Sequence, residues 1–314
     1  EWEVQALMVI GASHEGLGHF SQALEQYEGA LVLARKIKDR FQESTALWGM
    51  GVIYFRLGQY EKAHESARRA LEISTMTGER LGQERSHNLV GITLLEIGQF
   101  QEAFKNFEKA LKIARDMGYR LRETSTLNNI GEHYRRQMRY QEAYEYYQQA
   151  LSITKETSDR PTQAAILLNI GLLYQDQGNH ETALGEFIKA QKIIQELGLR
   201  PTELETLVAI GDSLSAINNI KDAQSYYQYG LDLSRQSGSP VFEWRALYGL
   251  ARCEIAKKHK NTALKLLAKT VEVIDLMSSE LTAYANRVSF LKNKQIVYND
   301  LAELTQELNK DEVV

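Results

Sequence analysis

The sequence predicts an all-α chain: a right-handed solenoid of seven helix pairs, finished by a C-terminal capping helix. Three observations carry that expectation. Glycine recurs at Gly11, Gly51, Gly91, Gly131, Gly171 and Gly211, a constant step of 40 residues. Alanine keeps the same step from Ala23 through Ala63, Ala103, Ala143, Ala183, Ala223 and Ala263, and aromatics keep it at Tyr27, Phe107, Tyr147, Phe187 and Tyr227. Between these marks apolar residues follow helical spacing, two segments to each unit. A fixed period of this length is the signature of stacked repeats, which grow by adding units and not by enlarging one core.

The units run 1–38, 39–78, 79–118, 119–158, 159–198, 199–238 and 239–278. In unit one, Gly11 falls in the first helix and Phe20 opens the second. Unit two shows both helices plainly, Glu43 to Leu57 and Tyr60 to Met76. Breaks as short as Leu57-Gly58-Gln59-Tyr60, and Ile97-Gly98-Gln99-Phe100 in unit three, force the paired helices antiparallel. Units five to seven open near Pro161, Pro201 and Pro240, and proline is tolerated in a first helical turn. Units end at Gly78, Gly118, Gly198 and Gly238, with Ser158 and Ser278 in the equivalent places. Glycine inside a helix costs about 1 kcal/mol against alanine, so the Gly51 series needs a cause. The expectation is that the Ala63 series packs where a glycine side chain would collide, while the Tyr27 series fills space between units. Ala67 and Leu267 depart from the aromatic series, and in unit seven Ala251 and Lys260 replace the glycine and the aromatic, which reads as capping. From Leu281 onward the ruler stops. Tyr284, Val288, Leu291, Gln295, Tyr298, Leu301 and Leu308 then predict one long amphipathic helix within 279–314 that covers unit seven.

Composition bounds the function. Apolar residues make up 43% and charged residues 25% of the 314, as in ordinary folded proteins. A net charge of −4 speaks against a nucleic-acid surface, and no apolar run reaches the length of a membrane span. A single cysteine, Cys253, forms no internal disulfide, so a reducing, cytoplasmic setting is expected. The chain opens on Glu1 without a signal peptide and reads as a piece of something longer.

The pattern of Leu127, Ile130-Gly131, Tyr134, Ala143, Tyr147 and Ala150, repeated as Leu167, Ile170-Gly171, Tyr174, Ala183, Phe187 and Ala190, resembles the tetratricopeptide repeat family. The likeness covers residues 1 to about 278, and the longer step resembles the long-helix subclass of Rap-type peptide receptors, Pins-like adaptors and bacterial sensors. It implies a protein or peptide partner held on a concave wall of first helices. Carried to this chain, the wall positions are Arg85, Asn88, Asn128, Asn129, Arg135, Arg136, Asn169 and Gln175. Asparagines there would read a peptide backbone and arginines its acidic groups. Trp48, Val52 and Phe55 form a second, apolar strip suited to an aliphatic anchor. The positions directly after the signature glycine are Ala12, Val52, Ile92, Glu132, Leu172, Asp212 and Arg252, without the asparagine of chaperone-tail receptors.

A weaker resemblance links Ala263 to Leu308, including Leu264, Val271-Glu272-Val273-Ile274, Ser289-Phe290-Leu291 and Tyr298, to the helical stretch before CHAT protease domains. It implies the regulatory arm of a protease whose catalytic part lies beyond Val314, an alternative to a peptide-receptor or scaffold role in a larger signalling protein. No catalytic constellation, cofactor motif or metal spacing is expected: the seven histidines are scattered, Cys253 reads as a packing residue, and the carboxylates are assigned to solvated helix faces. Arg120, Arg122, Arg135, Arg136 and Arg139 predict a local basic patch in unit four.

Overall fold

The computed structural model describes residues 2–16, 19–279, 291 and 294–311. Among them lie fifteen helices and no strand. They run α1 Trp2–Gly16, α2 Phe20–Lys36, α3 Arg40–Arg56, α4 Tyr60–Thr77, α5 Arg80–Ile97, α6 Phe100–Asp116, α7 Arg120–Arg136 and α8 Tyr140–Thr157. Then follow α9 Arg160–Asp176, α10 His180–Leu197, α11 Arg200–Ala216, α12 Ile220–Gln236, α13 Pro240–Ala256, α14 Lys260–Ser279 and α15 Gln295–Asp311. The chain divides into two compact units, 1–158 and 159–314. Within each, consecutive helices pack antiparallel side by side, and alternate helices touch more lightly, as α3 does α5 and α11 does α13.

Turn chemistry sets the rhythm. Left-handed backbone recurs every 20 residues from Lys38 through Gly58, Gly78 and Gly98 to Gly238 and Lys258, so each 40-residue unit is two equal halves. The position needs φ near +60°, which glycine adopts freely and other residues do not. Lys38, Met138, Ser158, Asn218 and Lys258 hold it without being glycine. Ser278 does not: α14 runs through it to Ser279, and the side chain is buried.

The reason for the in-helix glycines differs from the expected one. A Cβ on Gly91 would meet Cε1 of Phe107 at 2.5 Å, one on Gly131 Tyr147 at 2.5 Å, and one on Gly211 Tyr227 at 2.6 Å. The ring of the second helix sits directly against the glycine of its own first helix, so the aromatic is the nearest group to exclude a side chain. These rings, Phe107, Tyr147, Phe187 and Tyr227, are among the largest fully buried groups. Tyr27 and Tyr227 are gripped from a second side by Gly49 and Gly249 of the following first helix. Unit two is the exception that fits the rule. Ala67 replaces its ring, and Leu89 from the next first helix reaches back to within 3.0 Å of where a Gly51 Cβ would stand. There the Ala63 carbonyl also stands 3.3 Å from that Cβ.

The second compact unit ends on α15, whose Val297 and Leu304 are buried with Leu267 and Ile274 of α14, flanked by Leu291, Tyr298, Leu301 and Leu308. Tyr298 donates to Asp275 at 2.6 Å. Leu281, Tyr284 and Val288 of the long terminal helix expected from sequence lie outside the described residues.

Three outcomes follow for stability. Gly211→Ala should lower it by about 1–3 kcal/mol through overpacking against a ring that cannot shift, despite the helix-propensity gain. Gly185→Ala, with open space at its Cβ inside α10, should raise it by roughly 0.5–1 kcal/mol; thermal melts of the pair check the sign of each. Met138→Gly should likewise stabilise by about 0.5–1 kcal/mol, because its side chain is exposed and its backbone left-handed.

Candidate partner-binding site

In the first compact unit the faces of α3, α5 and α7 lie side by side. Trp48, Val52 and Phe55 fall at i, i+4 and i+7 of α3 and are half-buried, forming an apolar strip. Phe55 leans on Tyr60, ring centres 5.6 Å apart. From α5, Arg85 lays its guanidinium 5.2 Å above the Trp48 ring and donates to Thr45 Oγ1 at 2.6 Å. That contact fixes a long side chain across the helix boundary and leaves its planar charge at the rim of the strip.

The asparagines behave differently from a free ladder. Asn88 is only 8% exposed, and its Oδ1 accepts from Asn129 Nδ2 at 2.9 Å. This pair ties α5 to α7, so much of its hydrogen-bonding capacity is internal. Asn128 is half-buried beside it. The arginines are engaged too. Arg135 donates to Glu132 through Nε at 2.8 Å and through a terminal nitrogen at 3.0 Å. Arg136 bridges Glu132 on its own helix at 2.8 Å and Glu96 of α5 at 2.7 Å. Burial pushes the Glu132 carboxyl up, but hydrogen bonds and charge from Arg135 and Arg136 overcome it and hold the group below its ordinary value.

In the second compact unit Asn169 is half-buried on α9. Gln175 donates to the Ala209 carbonyl at 3.3 Å and to Ser213 Oγ at 3.0 Å, linking α9 to α11. Farther on, Arg252 stands 3.6 Å from Asp212. Tyr248 donates to Asp300 of α15 at 2.8 Å, so the terminal helix takes up part of the α13 face.

Two sequence expectations are corrected. The five arginines of unit four make no open basic patch, because each has a carboxylate: Arg120 has Glu123 and Glu156, Arg122 has Glu84, Arg135 and Arg136 share Glu132, and Arg139 has Glu142. Nor are the carboxylates all on solvated faces. Glu43, Glu123 and Glu203 are buried one turn into a first helix, where Arg40, Arg120 and Arg200 meet them. Arg35 and Arg115, in the last turn of the preceding helix, close on Glu43 and Glu123 at 2.9 Å each. The signal for these joints was present in the sequence: arginine recurs at 40, 80, 120, 160 and 200, with Glu or Gln three residues on.

Glu84 is the outlier. It is 1% exposed in a position where Ser44 and Thr124 stand in neighbouring units, with Arg122 3.7 Å away. Burial pushes its carboxyl up to about 6, against the pull of Arg122, Thr126 and Arg85.

These features define the class: a helical repeat module whose ordered first-helix faces are lined by polar and apolar side chains, with no group of three or more His, Cys, Asp or Glu placed to hold a metal among the described residues. Nor is any described helix long and apolar enough to cross a membrane. The chain belongs to the tetratricopeptide repeat family, whose model matches residues 2–76, 42–116, 122–184 and 162–236. Comparison with curated protein sequences finds no match. Among solved structures, it is similar to a signal transduction ATPase with numerous domains that carries a tetratricopeptide repeat sensor, from Pyrococcus horikoshii. There the identity is 18% and the TM-score 0.63, over 86% of this chain and 42% of that one. The chain thus spans less than half that protein's length. A Rap protein complexed with competence and sporulation factor matches at 16% identity and TM-score 0.68, over 89% of this chain and 77% of its own. Aspartyl phosphate phosphatase F from Bacillus subtilis matches at 20% and 0.63, over 90% and 73%. At such identities the likeness concerns the fold. The stretch resembling the approach to CHAT domains falls partly, at Ser289 and Phe290, outside the described residues.

The raised Glu84 value has a direct consequence. The native state holds this proton more tightly than the unfolded chain, so stability falls as pH rises from about 4.5 to about 6 and stays lower above that window. Glu84→Gln should therefore stabilise the protein by about 1–2 kcal/mol at pH 7.5 and make no difference below pH about 4.5. Denaturant titrations of both proteins across that range check it.

Proposed function

We propose that this chain is a non-catalytic partner-binding module. In this reading the first-helix face of its first compact unit receives an extended or helical segment of a protein or peptide. The observation that carries it is the strip of Trp48, Val52 and Phe55, three large side chains half-buried in line on α3 with Arg85 fixed at their edge. An apolar anchor docks on the strip, and the Arg85 charge favours an acidic group beside that anchor. Asn88 of α5 stands next to the strip and Asn128 and Asn129 of α7 one helix farther on; with Asn88 buried and bonded to Asn129, Asn128 is the asparagine offered to a guest backbone, while Arg135 and Arg136 act through their ion pairs with Glu132 and Glu96. Asn169 and Gln175 are the corresponding polar positions of the second compact unit. A Rap conjugation gene regulator of similar fold, 18% identical with a TM-score of 0.59, is in complex with the Phr* peptide, which supports a peptide as the guest. The ATPase with a repeat sensor supports a place as the sensing part of a larger signalling protein.

Selection of displayed random peptides against the intact chain tests this. Peptides with an aliphatic or aromatic residue next to Asp or Glu should emerge, and Trp48→Ala/Phe55→Ala should weaken them at least tenfold. Arg85→Gln should reduce the preference for the acidic residue alone. No enrichment, or equal binding to the double variant, overturns the reading.

A further inference from the structure

Buried polar groups without a hydrogen bond gather at one place in the first compact unit. Both carboxylate oxygens of Glu84 lack a donor, and beside them the Thr126 hydroxyl and Nε of Arg85 also go without a partner. Folded proteins leave few such groups, so a buried carboxylate without donors needs a reason. The repeat supplies none. At the equivalent positions Ser44 and Thr124 bond to carbonyls of their own helices, and Ala164 and Leu204 carry nothing to satisfy. Perturbed, poorly paired carboxylates of this kind mark functional sites, and this one lies next in sequence to Arg85 at the edge of the apolar strip.

Charge reaches Glu84 from two helices. Arg122 Nε of α7 stands 3.7 Å away, too far for a hydrogen bond, and Arg85 acts from the same helix. Glu79, in the turn before α5, bears on the same Arg85 with its carboxyl folded over Gly82. The other helices packed on α5, namely α3, α4 and α6, bring no charge to bear on Glu84 among the described residues. A guest carboxylate on Arg85 therefore shares one guanidinium with a buried carboxylate beside it. We propose that Glu84 is a proton-linked regulator of the strip: an acidic guest binds at Arg85 together with a proton taken up by Glu84, so the module grips acidic segments more tightly in mildly acidic surroundings. This rests on the reading that Arg85 takes the acidic group of the guest.

The sign follows from linkage. A second negative charge brought close disfavours ionisation, and burial already holds the Glu84 carboxyl up at about 6 in the free chain. A guest carboxylate raises it further, so the complex holds the proton more tightly than the free chain and gains affinity as pH falls. Well above the window both states are ionised and the gain is lost. The guest's own carboxylate titrates near about 4, so it stays charged throughout. His87, on the same helix, is turned to Asn106 of α6, and replacing Glu84 separates its titration from that of the carboxyl.

The probes are the tightest acidic peptide from the displayed-peptide selection and the same peptide with its acidic residue changed to the amide. Calorimetry on the intact chain at pH about 5.5 and about 7.5 gives the dissociation constants and, from buffers of different ionisation heat, the protons taken up. The acidic peptide should bind at least about threefold more tightly at the lower pH, with net proton uptake between. Glu84→Gln should bind it equally at both, near the wild-type affinity at the lower pH, and without uptake. Glu84→Thr, which copies Thr124, should do the same and covers a glutamine variant that fails to fold. The amide peptide should show no pH dependence with any of the three proteins. A constant affinity of the acidic peptide for wild type, or a slope that survives in both variants, overturns the proposal and leaves the reading of the strip standing. So does a slope shared by the amide peptide, which would place the proton away from the Arg85 contact. Selection that yields no peptide at either pH overturns the strip reading itself, and the proposal with it.

Discussion

The seat of an aromatic ring on a helical glycine is the contact from which the remaining architecture follows. A buried ring contributes on the order of 1.5–3 kcal/mol through its apolar surface, enough to outweigh the propensity penalty of the glycine beneath it. Because the ring comes from the second helix and the glycine from the first, the contact fixes how far each hairpin is closed. Where Tyr27 and Tyr227 also touch the glycine of the next first helix, the same ring sets the spacing between neighbouring hairpins. The tyrosines meet a further demand. Their hydroxyls find carboxylates, Tyr27 at Glu15, Tyr147 at Glu132 and Tyr227 at Asp212, so a buried polar tip is not left unpaired.

Charge then marks the joints that packing creates. Arginine in the first turn of one helix and arginine in the last turn of the helix before it converge on one buried glutamate. The second of these also complements the negative end of its own helix. Removing the glutamate would leave two cations at one joint, whereas removing either arginine leaves a pair. The same logic reaches the candidate site, where Glu132 gathers Arg135, Arg136 and the Tyr147 hydroxyl. That network holds the edge of the face rigid and lowers its net charge, which leaves the apolar strip and Arg85 as its most distinctive chemistry.

Most of the fold was legible because repetition multiplies weak local signals. One Gly51 says little, but six at a constant step demand a shared environment, and helix bounds followed from prolines and turn glycines. What failed was partner identity. Spacing showed that Gly131 needs room without showing whether Ala143 or Tyr147 takes it, since both recur at the same step. The site was legible only as a set of positions. Asn88 and Asn129 do lie together, but a hydrogen bond between residues 41 apart is invisible to a register that treats each unit alone. Glu84 was hidden for the opposite reason: it breaks the pattern, and only its burial shows that the break matters.

A double-mutant cycle on Gly91 and Phe107 probes the ring-on-glycine seat most directly. Gly91→Ala and Phe107→Leu should each destabilise the chain. Together they should cost less than their sum by about 1–2 kcal/mol, as expected of groups in contact, because the smaller leucine vacates the space the new methyl needs. Additivity within roughly 0.3–0.5 kcal/mol would mean that the ring does not bear on the glycine, and the account of the repeat would be wrong.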